Sequence, residues 1–220
     1  MGLDSMSRKY TTALFDVDGT IITLDGVVKA VQEALTRLDL ETMSGHDIIR
    51  RFVGHLLVDE FPKLYPHVAD QAEEFQKLYT IIFTRKHKEY SKLQPHVKEV
   101  LNMLRENDIK IGIVTTKGRE EALAVVKDYS LPYDVMISHN DAPAIKPSPL
   151  PIATALEKLG EKADRAVMTG DHIFDVMSAQ AAGCIGIGVL TGASTKEEFE
   201  DIKTPYIIKD LGGLLAIMGL

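Results

Sequence analysis

The sequence predicts an α/β fold built on a doubly wound parallel sheet, and three observations carry that prediction. Short, mostly apolar runs of strand length recur at Thr12–Phe15, Lys110–Val114, Tyr133–Ile137, Ala166–Met168, Ile185–Leu190 and Tyr206–Ile208. Five of them are followed by a helical pattern or a longer insertion, and buried parallel strands read as continuous apolar runs separated by helices. The composition, 45% hydrophobic and 26% charged over 220 residues, is that of an ordinary globular chain with material for one core plus an insertion.

The first strand breaks the rhythm. The interval from Phe15 to Lys110 is too long for a single crossover, and from about Gly26 to Leu93 it reads as helical throughout. Val27, Val28, Val31, Ala34, Leu35 and Leu38 form one apolar face; Ile48, Ile49, Phe52, Val53, Leu56 and Leu57 form another. A longer segment, Val68 to Tyr90, places Ala72, Phe75, Leu78, Tyr79 and Ile82 at helical spacing. The stretch from Ser91 to Pro95 reads as a return linker before a helix from His96 to Glu106. The expected organisation is a helical cap domain over 24–93, inserted into a core made of 1–23 and 94–220. No internal repeat or low-complexity segment interrupts it.

Several classes of function are set aside by composition. A net charge of −7 argues against a broad nucleic-acid-binding surface, which needs clustered Lys and Arg. Cys184 is the sole cysteine, so no intramolecular disulfide forms, and a cytoplasmic location fits. The start, Met1 to Met6, is short and polar, without the apolar stretch of a signal peptide; Met6 is an alternative start. The longest apolar run, Leu211 to Leu220, contains three glycines and is too short to span a bilayer, so no membrane partner is expected.

Ligands of an open parallel sheet bind beyond the carboxyl ends of its strands, so the residues that follow each strand decide the chemistry. After the first strand come Asp16-Val17-Asp18-Gly19-Thr20. Of two carboxylates one residue apart, one can be nucleophile and metal ligand and the other a proton donor and acceptor, while Gly19 lets the turn adopt positive φ. A plain turn or a calcium loop also suits Asp-x-Asp-Gly, although the remaining EF-hand ligands are absent. After the second strand, Thr115-Thr116-Lys117-Gly118 open a helix. Hydroxyls and free N–H groups there suit a phosphate oxygen, and equally an ordinary helix cap. Asp141 and the segment Ile145-Lys146-Pro147-Ser148-Pro149 follow the third strand, with two prolines stiffening the backbone beyond Lys146. Gly170-Asp171-His172-Ile173-Phe174-Asp175 follow the fourth; Asp171 and Asp175 are one helical turn apart, and His172 reads as a helix-start residue.

Together these features say more than any one of them. Asp16, Asp18, Asp171 and Asp175 would crowd one edge of the sheet. Each like-charged pair at about 4 Å costs roughly 4 kcal/mol at intermediate effective dielectric. A cation filling the cluster removes that cost, and an all-oxygen donor set selects Mg²⁺ over zinc. With Lys146 and the Thr115 hydroxyl added, the edge is furnished for phosphoryl transfer.

In order and spacing, the segments FDVDGT, IVTTKG, KPSP and TGDHIFD resemble the four motifs of the haloacid dehalogenase superfamily, from about Ala13 to Leu190. The resemblance is greatest to its helical-cap phosphatases, in the phosphoglycolate phosphatase-like and pyrophosphatase-like branch. It implies Asp16 as a nucleophile forming an aspartyl-phosphate and Asp18 as the acid and base. It implies Mg²⁺ held by Asp16, the Asp18 carbonyl and Asp171, with Asp175 supporting. Thr115 and the Thr116 N–H would grip the phosphoryl group, Lys146 would neutralise it, and Asp141 would orient Lys146. The second acid, Asp18, disfavours a dehalogenase. Departures lie at Ile21 to Asp25, at Thr116 and at His172.

The expected activity is Mg²⁺-dependent hydrolysis of a small phosphorylated metabolite, a phosphomonoester of the phosphoglycolate kind, by a monomer or homodimer. Inorganic pyrophosphate hydrolysis and sugar phosphomutase chemistry are the alternatives on the same core. A non-catalytic phosphoryl-binding protein is the alternative of a different class. In the cap, Arg50 and Arg51, with Gly54 and His55, are the candidate contacts for the far end of a substrate; a solvated basic patch at a helix end is the competing reading.

Overall fold

The computed structural model describes residues 9–220; the alternative start at Met6 lies outside the described residues. Six strands form one wholly parallel sheet in the order β3-β2-β1-β4-β5-β6. They are β1 (Thr12–Phe15), β2 (Lys110–Val114), β3 (Val135–Ile137), β4 (Ala166–Gly170), β5 (Ile185–Val189) and β6 (Tyr206–Ile208). The third strand starts two residues later than its apolar run, and the fourth runs on to Gly170.

Successive strand residues face opposite sides of the sheet, so each strand feeds two cores. Ala13, Phe15, Ile111, Ile113, Val167 and Ile187 belong to one; Leu14, Val114, Ile137 and Met168 belong to the other. The first core is covered by α5 (Val97–Glu106), α6 (Arg119–Tyr129) and α10 (Gly213–Met218). The second is covered by α7 (Leu150–Leu159) and α8 (Ile173–Ala182). A short helix, α9 (Lys196–Asp201), joins β5 to β6.

Between β1 and β2 the chain inserts α1 (Asp25–Arg37), α2 (Gly45–Phe52), α3 (Leu57–Leu64) and α4 (Ala72–Tyr90). The two strands of chain that enter and leave this insertion run side by side: Thr23 N–H donates to the Lys92 carbonyl and Gln94 N–H to that of Ile21. An aromatic stack of Phe52, Phe61 and Phe75 forms its interior.

Two segments differ from the periodicity reading. The face from Ile48 to Leu57 is two helices, because Val53 is extended and Gly54 sits at φ +83, a left-handed bend that ends α2. The long fourth helix starts at Ala72 because Pro66 opens a 3₁₀ turn and Val68 has non-helical backbone angles. Among the described residues no helix is long and apolar enough to cross a membrane.

Candidate active site

The sheet order reverses direction on either side of β1, and the site opens at the carboxyl ends of β1, β2 and β4. Asp16 follows β1 directly and continues its ladder, its N–H donating to the Thr169 carbonyl. The chain then turns back on itself. Gly19 adopts φ +77, its N–H donates to the Ile22 carbonyl, and Ile21 N–H donates to that of Val17. That hairpin holds Asp18 against the same cavity as Asp16.

Lys146 reaches this point from the loop after β3. Its ammonium donates to Asp16 Oδ1 at 2.7 Å, to Asp175 Oδ1 at 2.5 Å and to the Val114 carbonyl at 2.9 Å. All three of its donors are therefore spent on core oxygens, and the side chain is buried. Burial alone would lower its pKa, yet Asp16 and Asp175 outweigh that and raise it.

The second acidic pair is built into the turn after β4. Asp171 is fully buried; Thr20 Oγ1 donates to its Oδ1 at 3.0 Å and Ala193 N–H to its Oδ2 at 2.8 Å. A Cβ on Gly19 would come within 2.2 Å of that carboxylate, and one on Gly192 within 1.9 Å. The seat exists because both positions are glycine. Asp175 closes the first turn of α8, accepting from His172 N–H at 3.1 Å, while His172 Nδ1 accepts from Phe174 N–H. Burial pushes the His172 imidazole down to about 4, with Lys146 and His55 adding to the effect, so the ring is neutral at neutral pH.

Asp16, Asp171 and Asp175 each place an oxygen within 4.8 Å of the others. Burial, then the charges of Asp16 and Asp175, hold the Asp171 carboxyl well above the usual carboxylate range. Burial lifts Asp175 to about 6, against the pull of Lys146 and with Asp16 adding to it. One ammonium thus serves two of the three buried acids, and among the described residues Asp171 has no cationic partner. The donor set fits a hard divalent cation, which would supply the missing charge through oxygen ligands alone.

Asp18 has a different environment. Its Oδ2 pairs with Lys117 Nζ at 2.9 Å, and its Oδ1 is buried without a hydrogen-bond partner. Burial raises its pKa, Lys117 opposes the rise and Asp16 adds to it. Thr115 and Thr116 line the same cavity; Thr115 Oγ1 accepts from Lys117 N–H, and Thr116 Oγ1 is buried without a partner.

Three expectations need correction. Asp141 does not touch Lys146: one of its oxygens accepts from Ser138 N–H and Oγ, and the other pairs with Arg119. Burial would raise its carboxyl, but these hydrogen bonds bring it down to about 2. It braces the loop after β3 at the end opposite to Lys146. Arg50 pairs with Glu198 of α9 at 2.9 Å, and Arg51 is exposed; neither lines the cavity, whereas Gly54 and His55 do. The loop that follows the bend at Gly54 lies against His172 and Phe174. The sequence reading also missed Lys117 and Tyr79. Lys117 follows two threonines that by themselves suit a phosphate, and Tyr79 falls in the apolar stripe of α4.

Residues 13–189 match the haloacid dehalogenase-like hydrolase family. The chain belongs to that family and is a hydrolase of it. It is 31% identical to a pyrophosphatase, PpaX, of Bacillus pumilus strain SAFR-032 over 94% of this chain and 96% of that protein. Among solved structures it resembles a haloacid dehalogenase-like hydrolase of Bacteroides fragilis, with TM-score 0.84 and 30% identity, covering 94% of this chain and all of the other. A predicted phosphoglycolate phosphatase of Haemophilus somnus 129pt shares the fold, with TM-score 0.85 at 22% identity over 95% and 98% of the two chains.

Proposed function

We propose that this hydrolase is a Mg²⁺-dependent phosphatase that cleaves a small phosphorylated metabolite in two in-line steps through an aspartyl-phosphate on Asp16, in the cytoplasm. The observation that carries the reading is the meeting of Asp16, Asp18, Asp171, Asp175 and Lys146 at one sheet edge. In the first step an Asp16 oxygen attacks phosphorus, the phosphorus–oxygen bond to the leaving group breaks, and Asp18 donates a proton to that oxygen. In the second, Asp18 takes a proton from water, which attacks the phosphoryl group and frees Asp16. The Thr115 hydroxyl and the Thr116 N–H meet the phosphoryl oxygens through both steps, while Lys146, its donors held by Asp16, Asp175 and the Val114 carbonyl, offsets their charge electrostatically. Mg²⁺, held by Asp16, Asp171 and the Asp18 carbonyl with Asp175 in support, would supply the positive charge that lets two anions meet.

The helical insertion acts as the cap. His55 packs edge-on against Phe174 at 5.5 Å between centroids, and the space left beneath is small, about 60 Å³. Pyrophosphate is the second reading, favoured by full-length relatives named as pyrophosphatases at about 30% identity.

The test is phosphate release measured side by side on pyrophosphate, phosphoglycolate and sugar phosphates, with Mg²⁺ and with chelator. Chelator-sensitive release that falls to background in Asp16→Asn is expected. Activity retained in Asp16→Asn would refute the mechanism.

A further inference from the structure

Lys117 is one of two buried lysines at the cavity, and none of the chemistry above uses it. Its ammonium has three contacts: Asp18 Oδ2 at 2.9 Å, the Tyr79 hydroxyl at 2.9 Å and the face of the Phe83 ring, 3.5 Å from its centroid. A lysine carries three donors, and a ring face satisfies a cation electrostatically. Nothing remains on this ammonium for a substrate oxygen, and the side chain is 2% exposed. Lys117 is therefore not a substrate contact.

Its contacts instead explain the asymmetry of Asp18. One carboxylate oxygen is tied to Lys117, while the other is buried and without a partner beside the cavity. A carboxylate anchored through one oxygen has its plane fixed, so its free oxygen addresses one direction. The anchor is itself fixed from both sides. Lys117 N–H donates to Thr115 Oγ1 within the core loop, whereas Tyr79 and Phe83 come from α4 of the insertion. A further link holds α4 in place: Thr80 Oγ1 donates to the buried Glu121 of α6 at 2.6 Å, and the Glu121 carboxylate lies directly over Gly118.

We propose that Lys117 is a positioning residue for Asp18, set by Tyr79 and Phe83 of the insertion, so that Asp18 Oδ1 meets the leaving-group oxygen. The inference rests on the phosphatase reading, in which Asp18 donates that proton. It gives the inserted helices a part in the proton transfer as well as in enclosure.

The dependence on leaving group tests it, because a residue that merely props up the fold has no reason to distinguish one leaving group from another. Phenyl phosphate needs a proton on its departing oxygen; 2,4-dinitrophenyl phosphate does not. Formation of the Asp16 phosphoenzyme is followed by rapid quench in Mg²⁺ for the natural sequence, Lys117→Met and Tyr79→Phe, with circular dichroism confirming each fold. In Lys117→Met the rate should fall roughly 100-fold with phenyl phosphate and less than about threefold with the dinitrophenyl ester. Tyr79→Phe, which keeps the ring and loses the acceptor, should show the same bias at smaller size. An equal loss with both esters, or no loss, overturns the inference while the phosphatase reading stands. If Lys117→Met does not fold, Tyr79→Phe decides alone, and an unbiased Tyr79→Phe overturns it. No chelator-sensitive phosphate release by the natural sequence from either ester or from pyrophosphate, phosphoglycolate and sugar phosphates sinks the phosphatase reading, and this inference with it.

Discussion

Two buried lysines line one cavity, and their surroundings differ. Lys146 spends its donors on Asp16, Asp175 and a β2 carbonyl, all within the sheet-bearing core. Lys117 meets one core acid, Asp18, and takes its other two contacts from the inserted helix α4. The counter-charge of Asp16 is thus built by the core alone, whereas that of Asp18 is shared between core and insertion. Both ammonium groups are desolvated, which lowers their pKa, and in both the neighbouring acids win and raise it. A chain that changes its insertion can therefore alter the surroundings of Asp18 without touching those of Asp16.

The largest expected effect comes from breaking the Lys146 side. Lys146→Ala leaves Asp16 and Asp175 buried without their ammonium, and removing one partner of a buried ion pair costs about 3–5 kcal/mol. Urea unfolding in chelator should show that loss. Added Mg²⁺ should recover part of it, since a cation that binds only the folded state stabilises it. A loss identical with and without Mg²⁺ would mean that these acids do not hold the ion.

The seat of Asp171 sharpens the comparison, because no lysine serves it. Gly192→Ala puts a methyl group where the Asp171 carboxylate now lies. The acid must shift, and the Mg²⁺ concentration for half-maximal activity should rise about 10–100-fold, the range seen when the partners that orient a metal ligand are lost. An unchanged Mg²⁺ requirement would remove Asp171 from the ligand set.

The smallest effect concerns the brace of the loop that carries Lys146. Asp141 has its folded-state pKa depressed to about 2, below an unfolded value near 4. Its contribution to stability is complete above the unfolded value and is lost as pH falls through the folded one. Asp141→Asn should therefore be less stable than the natural sequence at pH 7, with the gap closing as pH falls from about 4 towards 2. A gap that persists at pH 2 would trace the loss to packing rather than charge.

Much of the fold was legible because its signals are local. Each strand is an apolar run bounded by turn residues, and burial on both faces leaves no other use for such runs. The acids were legible because each follows its strand within a few residues, and parallel strands bring those ends together whatever lies between. Asp141 shows where that logic fails. It precedes Lys146 by five residues, but the loop between them turns it toward Ser138 and Arg119. Arg50 and Arg51 fail in the same way: Arg50 pairs with Glu198 and Arg51 is exposed, while Gly54 and His55 just beyond them line the cavity.

The sequence by itself determined the strands, the places of Asp16, Asp18, Asp171, Asp175 and Lys146 beyond them, and the helical character of the insertion. Only the tertiary structure decided that Lys117 belongs to Asp18 rather than to solvent or substrate. Its partners Tyr79 and Phe83 lie on a helix whose periodicity reports that a face is buried, not what it is buried against. An ammonium's role is set by the acceptors within about 3 Å of it, and here those come from elements separated by most of the insertion.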